Sequence, residues 1–192
     1  MIPAVIFVNG PSRCGKDTFG KHIEEILPGF QYKQASKILK EQTNALYGRS
    51  DLPWDFWEDN KDEPSPTFLG LKPREAWIKV SETYMKPTHG QEIYGKLLLK
   101  EMQASPKRAY VVDCGYSLEA SPIIRAYGAD NCKLVRIHAE GRGCSFKGDS
   151  RSHIVLPSVE SFDIQNNGNK ARFIWAIDRQ FGRMLQQMVG GT

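Results

Sequence analysis

The chain has 192 residues, of which 40% are hydrophobic and 25% are charged. These proportions are typical of one globular domain with a sizeable core, and they exclude wholesale disorder and fibrous architectures. With 26 Lys and Arg against 22 Asp and Glu, the formal charge is +4. This mild basic excess suits a protein that handles phosphates, but it does not by itself indicate nucleic-acid binding.

Targeting features are not apparent in the sequence. No stretch approaches the roughly 20 apolar residues that cross a bilayer, and the run 2–8 lacks the basic leader of a signal peptide. The four cysteines form no Cys-x-x-Cys pair, so we expect reduced thiols. These features predict a cytoplasmic protein (host-cell cytoplasm if the source is viral) without a membrane partner. The oligomeric state stays open, a dimer included.

Hydrophobic patterning predicts strands and helices in alternation along the first part of the chain. The apolar run 4–8 predicts a buried strand, and the apolar stripe over 19–27 predicts a helix after it. A short strand is predicted over 30–35. Ser36 is then expected to cap a second helix that runs to Leu46.

A long irregular stretch follows. Residues 49–71 combine prolines, tryptophans and many charges, which predicts a surface excursion. Pro73 is predicted to open a helix with Tyr84 on its inner face, and Pro87 is predicted to break it. Another helix is expected over 93–102.

The second half of the chain resumes the alternation. Strands are predicted over 109–114 and 133–138, with a helix over 117–127 between them and a last helix over 170–188. Residues 139–152 form a loop rich in Gly and Arg. Alternating strands and helices predict an α/β fold of three layers, with a parallel sheet covered on both faces.

The strongest functional signal is Gly10-Pro-Ser-Arg-Cys-Gly-Lys-Asp-Thr18, between the first strand and the first helix. It matches the Gly-x-x-x-x-Gly-Lys pattern of the phosphate-binding loop (P-loop), whose glycines let backbone N–H groups point at phosphate oxygens. Lys16 is expected to reach the terminal phosphates of a nucleoside triphosphate. The residues predicted to bind ATP are Gly10, Ser12, Arg13, Cys14, Gly15, Lys16, Asp17 and Thr18.

The residue after the lysine departs from the usual Ser or Thr. Asp17 stands there, and Thr18 comes one position later. Either Thr18 supplies the hydroxyl for Mg²⁺, or Asp17 acts on the metal or on the acceptor. The sequence leaves both open, and both are predicted metal ligands.

The loop 139–152 is predicted to be a lid. Its glycines would serve as hinges, and Arg142 and Arg151 would neutralise charge on the transferring phosphoryl group. A solvated basic loop is the alternative. An Asn-Lys-x-Asp base-reading motif is not in place late in the chain, so a GTPase is disfavoured. A nucleotide-binding module that does not transfer phosphate remains a further alternative.

The segment 8–18 resembles the loop of bacteriophage deoxynucleoside monophosphate kinases. The likeness continues at Pro73-Arg-Glu-Ala76, at Val111-Val-Asp113, and weakly at 163–168. The resemblance implies a nucleoside-monophosphate-kinase fold of P-loop type in one domain. In this domain we expect an acceptor-binding insertion at about 36–105, and the resemblance implies that the enzyme uses Mg-ATP. It also implies that Arg74 faces the acceptor and that Asp113 stands at the metal or the acceptor.

A related phage group phosphorylates 5-hydroxymethyldeoxyuridine within DNA, and the sequence leaves this acceptor open as well. Where monophosphate kinases often have an Asp-x-Arg run, this chain has Asp113-Cys-Gly-Tyr116. A hydroxymethyl acceptor needs a general base, for which Asp17, Glu82 and Asp113 are candidates. Asp113 is the best placed, at the carboxyl end of a strand.

The predicted acceptor-binding residues are Lys37, Trp54, Trp57, Arg74 and Glu82. The tryptophans could stack on a base or fasten the excursion to the core, and the sequence does not decide between these. The lysines of the insertion are more typical of solvated helix faces; they are Lys37, Lys40, Lys79 and Lys86. The four histidines show no ligand spacing, which favours ordinary surface or core roles over metal binding.

Overall fold

The computed structural model describes residues 4–27, 29–48, 54–104, 109–147 and 151–189, without the side chains of residues 54, 55, 109 and 182–189. The described strands are β1 (Val5–Asn9), β2 (Phe30–Gln34), β3 (Ala109–Asp113), β4 (Cys132–His138) and β5 (Glu160–Gln165). The described helices are α1 (Lys16–Ile26), α2 (Ala35–Leu46), α3 (Trp54–Asp59), α4 (Pro73–Val80), α5 (Lys86–His89), α6 (Ile93–Ala104), α7 (Ser117–Tyr127) and α8 (Lys170–Val189).

The strands form one parallel sheet in the order β2-β3-β1-β4-β5. The first strand is central, because the chain moves from β1 to one edge and later to the other. Val8 and Gln34 both lie opposite Asp113, on either side of β3. The carboxyl ends of the strands therefore meet at one edge of the sheet, where ligands bind in folds of this kind.

Alternation along the central strand builds two apolar layers. Val5 and Phe7 face one side and pack with α2, α6 and α7, whereas Ile6 and Val8 face the other and pack with α1 and α8. All four side chains are fully buried, which is typical of a parallel strand covered on both faces. The three-layer α/β fold with a parallel sheet is confirmed.

A third apolar cluster lies in the predicted insertion. It is formed by Trp57, Phe68, Ala76 and Trp77, and it packs against Leu39 of α2. The predicted excursion thus contains the helix α3 and a 3₁₀ turn at Pro66–Phe68, while residues 49–53 lie outside the described residues. Aromatic packing, rather than local sequence pattern, orders this segment.

Three sequence-based expectations need correction here. The helix α2 begins at Ala35, directly after β2, and its N-cap is Gln34, so Ser36 lies inside the first turn and does not cap it. The helical run from α4 continues through π-helical Ser81–Met85 into α5. Pro87 does not break this run, because a proline is tolerated at the start of a helical segment, where its missing N–H is not needed. Tyr84 is 52% exposed, not inward.

The strand β5 was not predicted from the sequence. Its residues carry many polar side chains, and only Ile164 is buried along Glu160–Gln165. Pairing with β4 forms this strand at the edge of the sheet, so the decisive interaction is tertiary. Among the described helices, none is long and apolar enough to cross a membrane.

Candidate active site

The loop between β1 and α1 has the backbone of an anion-binding concavity. Arg13 has a φ of 61° and Gly15 a φ of 107°, so two left-handed residues alternate with ordinary ones at the start of α1. Such alternation turns successive N–H groups toward one point. A left-handed arginine is strained, and strain of this kind gathers at functional sites. The adjoining helix terminus adds a partial positive charge.

Two glycines of the loop have no room for a side chain. A Cβ on Gly10 would lie 2.5 Å from Cys14 Sγ and 2.8 Å from the Ile137 carbonyl oxygen. A Cβ on Gly15 would lie 2.7 Å from the Asn166 side-chain nitrogen. The Asn166 amide is buried and donates to the Cys14 carbonyl at 2.7 Å. The loop is therefore held from below by β4 and by the segment after β5.

The predicted phosphate-binding lysine folds back over its own loop. Lys16 Nζ donates to the carbonyl oxygens of Gly10 at 3.0 Å and Pro11 at 2.9 Å. These bonds keep the ammonium at the rim of the concavity. Phosphate oxygens would compete for the same N–H donors, since charge-assisted hydrogen bonds are stronger than those to neutral carbonyls.

Asp17 is oriented by two side chains from β2. One of its oxygens, Oδ1, accepts from Tyr32 Oη at 2.8 Å and from Gln34 Nε2 at 2.7 Å. The Tyr32 ring packs on Gly20 of α1, where a Cβ would come within 2.4 Å of it. Burial, together with Asp113 and Asp17, raises the pKa of Tyr32, so its hydroxyl keeps its proton and remains a donor. The Asp17 carboxylate is thus fixed at the mouth of the loop.

Asp113 lies at the carboxyl end of β3, at the point where the charges of the site converge. Burial raises the pKa of this carboxyl, and the charge of Asp17 raises it further, whereas Lys16 and Arg151 lower it. Two carboxylates and two cations from distant parts of the sequence therefore act on one another. Perturbed carboxyl groups with named charge partners are typical of functional sites.

Asn9 connects the residue after Asp113 to the segment that carries Arg151. The side chain of Asn9 is 1% exposed; its Nδ2 donates to the Cys114 carbonyl at 2.9 Å, and its Oδ1 accepts from the Ile154 N–H at 3.2 Å. The Arg151 side chain passes Gly115, where a Cβ would lie 3.4 Å from its Cδ. Of the two arginines predicted to be catalytic, Arg151 lies within electrostatic reach of Asp113. Arg142 lies in an exposed 3₁₀ turn.

The remaining loop residues differ in accessibility. Burial raises the pKa of the Cys14 thiol to about 11, so this thiol stays neutral and only its backbone is suited to binding. Thr18 lies partly buried in the first turn of α1, and Ser12 is exposed beside Arg13. These positions agree with the predicted phosphate loop, in which the main chain supplies most donors.

The insertion adds paired cations around the site. Lys40 of α2 donates to Glu58 at 2.7 Å, and Lys61 donates to the same carboxylate at 2.5 Å. Burial lowers the pKa of Lys40, Glu58 opposes that shift, and Asp113 also acts on it. Lys40 therefore lies within electrostatic reach of the site. The expectation that it belongs to a solvated face is wrong.

Arg74 is held by an ion pair near the phosphate loop. Its Nε donates to Asp62 Oδ1 at 2.7 Å, and Arg13 of the loop also acts on that carboxylate. The hydrogen bond from Arg74 lowers the pKa of Asp62. The predicted acceptor residue Arg74 is thus paired with a carboxylate of the insertion that lies within electrostatic reach of Arg13.

Other predicted acceptor residues do not join this group. Trp57 is 3% exposed inside its aromatic cluster, so its ring packs the insertion and does not present a face to a base. The side chain of Trp54 lies outside the described residues. Lys37 pairs with Glu41 on the exposed face of α2, and Glu82 pairs with the buried amine of Lys86 at 2.6 Å.

Lys86 is a second lysine for which a solvated face was wrongly expected. It is buried, and its ammonium lies 4.5 Å from the ring centroid of Tyr116. It also acts on Glu119, whose pKa is raised to about 7 by burial. This group lies beside Gly115, whose N–H donates to Glu119 at 3.3 Å.

A cleft of about 250 Å³ opens next to the loop, between the residues after β5 and α8. Phe173 forms part of its wall and also lies against Gly15. The lining combines the exposed indole of Trp175 with amides and a guanidinium, which are groups that stack on and hydrogen-bond to a flat heterocycle, whereas Phe173 is itself buried. The other lining residues are Gln165, Asn167, Gly168, Arg172, Trp175 and Ala176.

Sequence reasoning missed several residues that organise the site. Asn9, Tyr32, Gln34 and Asn166 act through side-chain hydrogen bonds to the loop or to its neighbours. The signal available was weak: Asn9 is a polar residue at the end of an apolar strand, at the edge where ligands bind, whereas Asn166 follows a strand that the sequence did not predict. Their partners come from distant segments, which only the fold brings together.

Comparison with known proteins gives the following result. The sequence matches no protein-family model and no curated protein. Among solved structures it is similar to a gluconokinase from Sinorhizobium meliloti 1021, with 15% identity, a TM-score of 0.48 and coverage of 98% of this chain and 97% of that one. A dephospho-CoA kinase from Campylobacter jejuni has 17% identity, a TM-score of 0.44 and coverage of 94% and 96%. A sugar kinase from Janibacter sp. HTCC2649 has 11% identity, a TM-score of 0.41 and coverage of 94% and 93%.

At these TM-scores the likeness carries no argument about activity. The class of the protein follows from its own features: a parallel sheet of order β2-β3-β1-β4-β5 and a P-loop between the central strand and α1. Together they define a P-loop protein of the three-layer α/β type.

Proposed function

We propose that this protein is an ATP-dependent kinase that transfers the γ-phosphoryl group to a deoxynucleotide, with a deoxynucleoside 5′-monophosphate as the leading acceptor. The observation that carries the proposal is the convergence of Lys16, Asp17, Asp113 and Arg151 at the mouth of the P-loop. A module that only binds nucleotide would have no use for a buried carboxylate beside the terminal phosphates.

The P-loop would hold the triphosphate of ATP, and the cleft beside Phe173 would receive its base. The oxygen ligands of Asp17 and Thr18 match the preference of Mg²⁺ for hard donors. Two carboxylates that act on each other, Asp17 and Asp113, would also be relieved by a divalent cation. When bound, Mg²⁺ supplies positive charge against the phosphate oxygens.

The transfer itself needs positioning more than covalent chemistry. An oxygen of the acceptor phosphate forms a new bond to the γ-phosphorus, while the bond from that phosphorus to the β–γ bridging oxygen breaks. The electron pair of the broken bond stays on the bridging oxygen, and ADP leaves. Lys16 and Arg151 neutralise charge on the oxygens of the transferred group. Arg142, in the predicted lid, would add to this from the exposed side.

The cations of the insertion support an acceptor that carries phosphate. Lys40 and Lys61 share Glu58, and Arg74 pairs with Asp62. This set has more positive than negative charges, so an incoming phosphate can exchange with a carboxylate partner. Free monophosphate is the simplest ligand with that chemistry, and the resemblance to phage deoxynucleotide kinases points the same way.

A second acceptor, the hydroxymethyl group of 5-hydroxymethyldeoxyuridine in DNA, is favoured by one observation. Burial raises the pKa of Asp113, and a carboxylate with a raised pKa is a better general base. In that reaction the hydroxyl oxygen bonds to the γ-phosphorus and its proton passes to Asp113. The DNA backbone would then occupy the same cationic set.

The deciding experiment offers γ-labelled ATP together with free deoxymonophosphates, unmodified DNA and DNA that contains hydroxymethyluracil. Label in the monophosphates confirms the leading proposal. Label only in the modified DNA rejects it in favour of the second acceptor. A protein that binds ATP and labels none of the acceptors contradicts both, and is then a binding module.

A further inference from the structure

Three potential metal ligands gather outside the P-loop but close to it, since their neighbours Ile137 and Ile154 lie against Gly10 and Asn9. One ring nitrogen each of His138 and His153 and one carboxylate oxygen of Glu140 lie within 4.8 Å of one another. His138 ends β4, Glu140 lies in the 3₁₀ turn after it, and His153 lies in the segment that returns toward β5. The phosphate-transfer chemistry proposed above uses none of these side chains.

His138 is oriented as a metal ligand would be. Its Nε2 lies 2.6 Å from Asp163 Oδ1, and its Nδ1 lies 3.6 Å from Glu140 Oε1. The carboxylate of Asp163 accepts the Nε2 proton, so the lone pair of Nδ1 points toward a second carboxylate. Two acceptors that face each other repel unless a cation lies between them. A carboxylate behind the histidine is the usual support of a metal-bound imidazole.

Asp163 is itself fixed by Arg136, which lies opposite it on β4. The guanidinium donates to both carboxylate oxygens, from Nε at 2.9 Å and from Nη2 at 2.7 Å. This bidentate pair neutralises the Arg136 cation near the histidines. The carboxylate of Glu140 then gives the group of His138, Glu140 and His153 a net negative charge, which favours the binding of a cation.

His153 completes the group from the other side. Its ring lies 4.2 Å from that of His138 between centroids, and Phe146 packs edge-on against it at 5.0 Å. Its Nδ1 is buried and has no hydrogen-bond partner among the described residues. A buried nitrogen without a partner is costly, and its burial therefore calls for a ligand.

We propose that His138, Glu140 and His153 bind a divalent transition-metal ion, with Zn²⁺ the best match to two imidazoles and one carboxylate. Bonds from Zn²⁺ to such ligands are about 2.0–2.2 Å long. The ligand atoms must therefore draw together by about 1 Å, which the exposed Glu140 side chain allows. Water would take the fourth position. The ion would join the end of β4 to the segment that carries Arg151.

The test uses Co²⁺ as a spectroscopic probe on the whole purified chain, stripped of metal and without nucleotide. We expect saturation at one ion per chain, with visible absorption of a tetrahedral site that Zn²⁺ abolishes. Glu140→Gln and His153→Ala should each weaken binding at least about tenfold, and Asp163→Asn by about 10–100-fold. His89→Ala, at an exposed position, is the matched control and should bind as the unaltered protein does.

Two results would overturn the inference. One is that the unaltered protein takes up no Co²⁺ or Zn²⁺, which is expected if a doubly protonated His138 simply bridges Asp163 and Glu140. The other is that Glu140→Gln and His153→Ala bind the ion as tightly as the control does. Glu140 is exposed, so its substitution tests the site without disturbing the fold. Since no turnover is measured, this outcome is independent of the proposed kinase activity.

Discussion

The P-loop and the insertion approach the same site, but different forces hold them. The loop depends on backbone shape and buried contacts: Gly15 has a left-handed φ, and Asn166 binds the loop from below. The insertion is ordered by its aromatic cluster, but its cations are held by ion pairs between partly exposed side chains, such as Arg74 with Asp62. The loop is therefore built for one ligand shape, whereas the pairs of the insertion can exchange partners.

This difference teaches where each kind of specificity comes from. Under the proposed function, pre-oriented N–H groups would bind a triphosphate without rearrangement, which suits the half of the site that every turnover would use in the same way. Ion pairs at exposed positions contribute little stability. The insertion can therefore give them up to an acceptor at small cost. Substitutions in the loop should accordingly have larger effects than substitutions in the insertion.

The largest effect is expected for Lys16→Ala. Removal of the ammonium takes away charge neutralisation at the transferring group, which in phosphoryl transfer is worth about 10³-fold or more. The measurement is label transfer from ATP to the accepted deoxynucleotide. Lys37→Ala, on the exposed face of α2, is the matched control and should retain activity. Equal turnover in the two variants would contradict the proposed mechanism.

Asp113→Asn should have the next largest effect, and its size distinguishes the acceptors. If Asp113 is the general base for a hydroxyl, kcat should fall by about 10²–10⁴-fold. If it only orients ligands at a monophosphate acceptor, the fall in kcat should be smaller and KM should change as well. Steady-state kinetics with each acceptor, with circular dichroism to confirm folding, make the measurement. An unaffected kcat would remove Asp113 from the site.

Gly15→Ala should destabilise the fold itself. The alanine must adopt a φ of 107°, and its Cβ would lie 2.7 Å from the Asn166 side-chain nitrogen and 2.9 Å from the Phe173 ring. Together, strain and overpacking cost about 2–4 kcal/mol in the free energy of unfolding. Gly48→Ala is the control, because that glycine has a φ of 70° but open space around it. Urea unfolding should show a clearly larger loss for Gly15→Ala than for the control.

The smallest expected effect concerns the pH dependence of stability. Burial raises the pKa of Glu119 to about 7 in the folded protein from 4.5. The folded state therefore holds this proton more tightly than the unfolded state does, and stability is lost as pH rises from about 4.5 through about 7. In Glu119→Gln that part of the pH dependence should disappear. The measurement is the free energy of unfolding of both proteins at several pH values. The same pH dependence in both proteins would contradict the raised pKa of Glu119.

Much of the fold could be predicted because local pattern and tertiary structure agree. The apolar run at β1 and the stripe of α1 are strong periodic signals, and the glycines and lysine between them define the phosphate loop. The edge strand β5 has no such signal, since its pairing with β4 forms it. Pro87 was misjudged for the same reason: the packing of the whole helical run outweighs a local preference.

The sequence by itself determined the architecture and the half of the site that binds phosphate, because those depend on periodicity and on backbone geometry within one short segment. Only the tertiary structure decided which distant side chains meet. It buried Trp57 and Lys86, placed Arg151 within electrostatic reach of Asp113, and brought His138 and His153 together. Contacts between residues that are distant in sequence depend on the connections between strands and on strand order, which local sequence spacing does not encode.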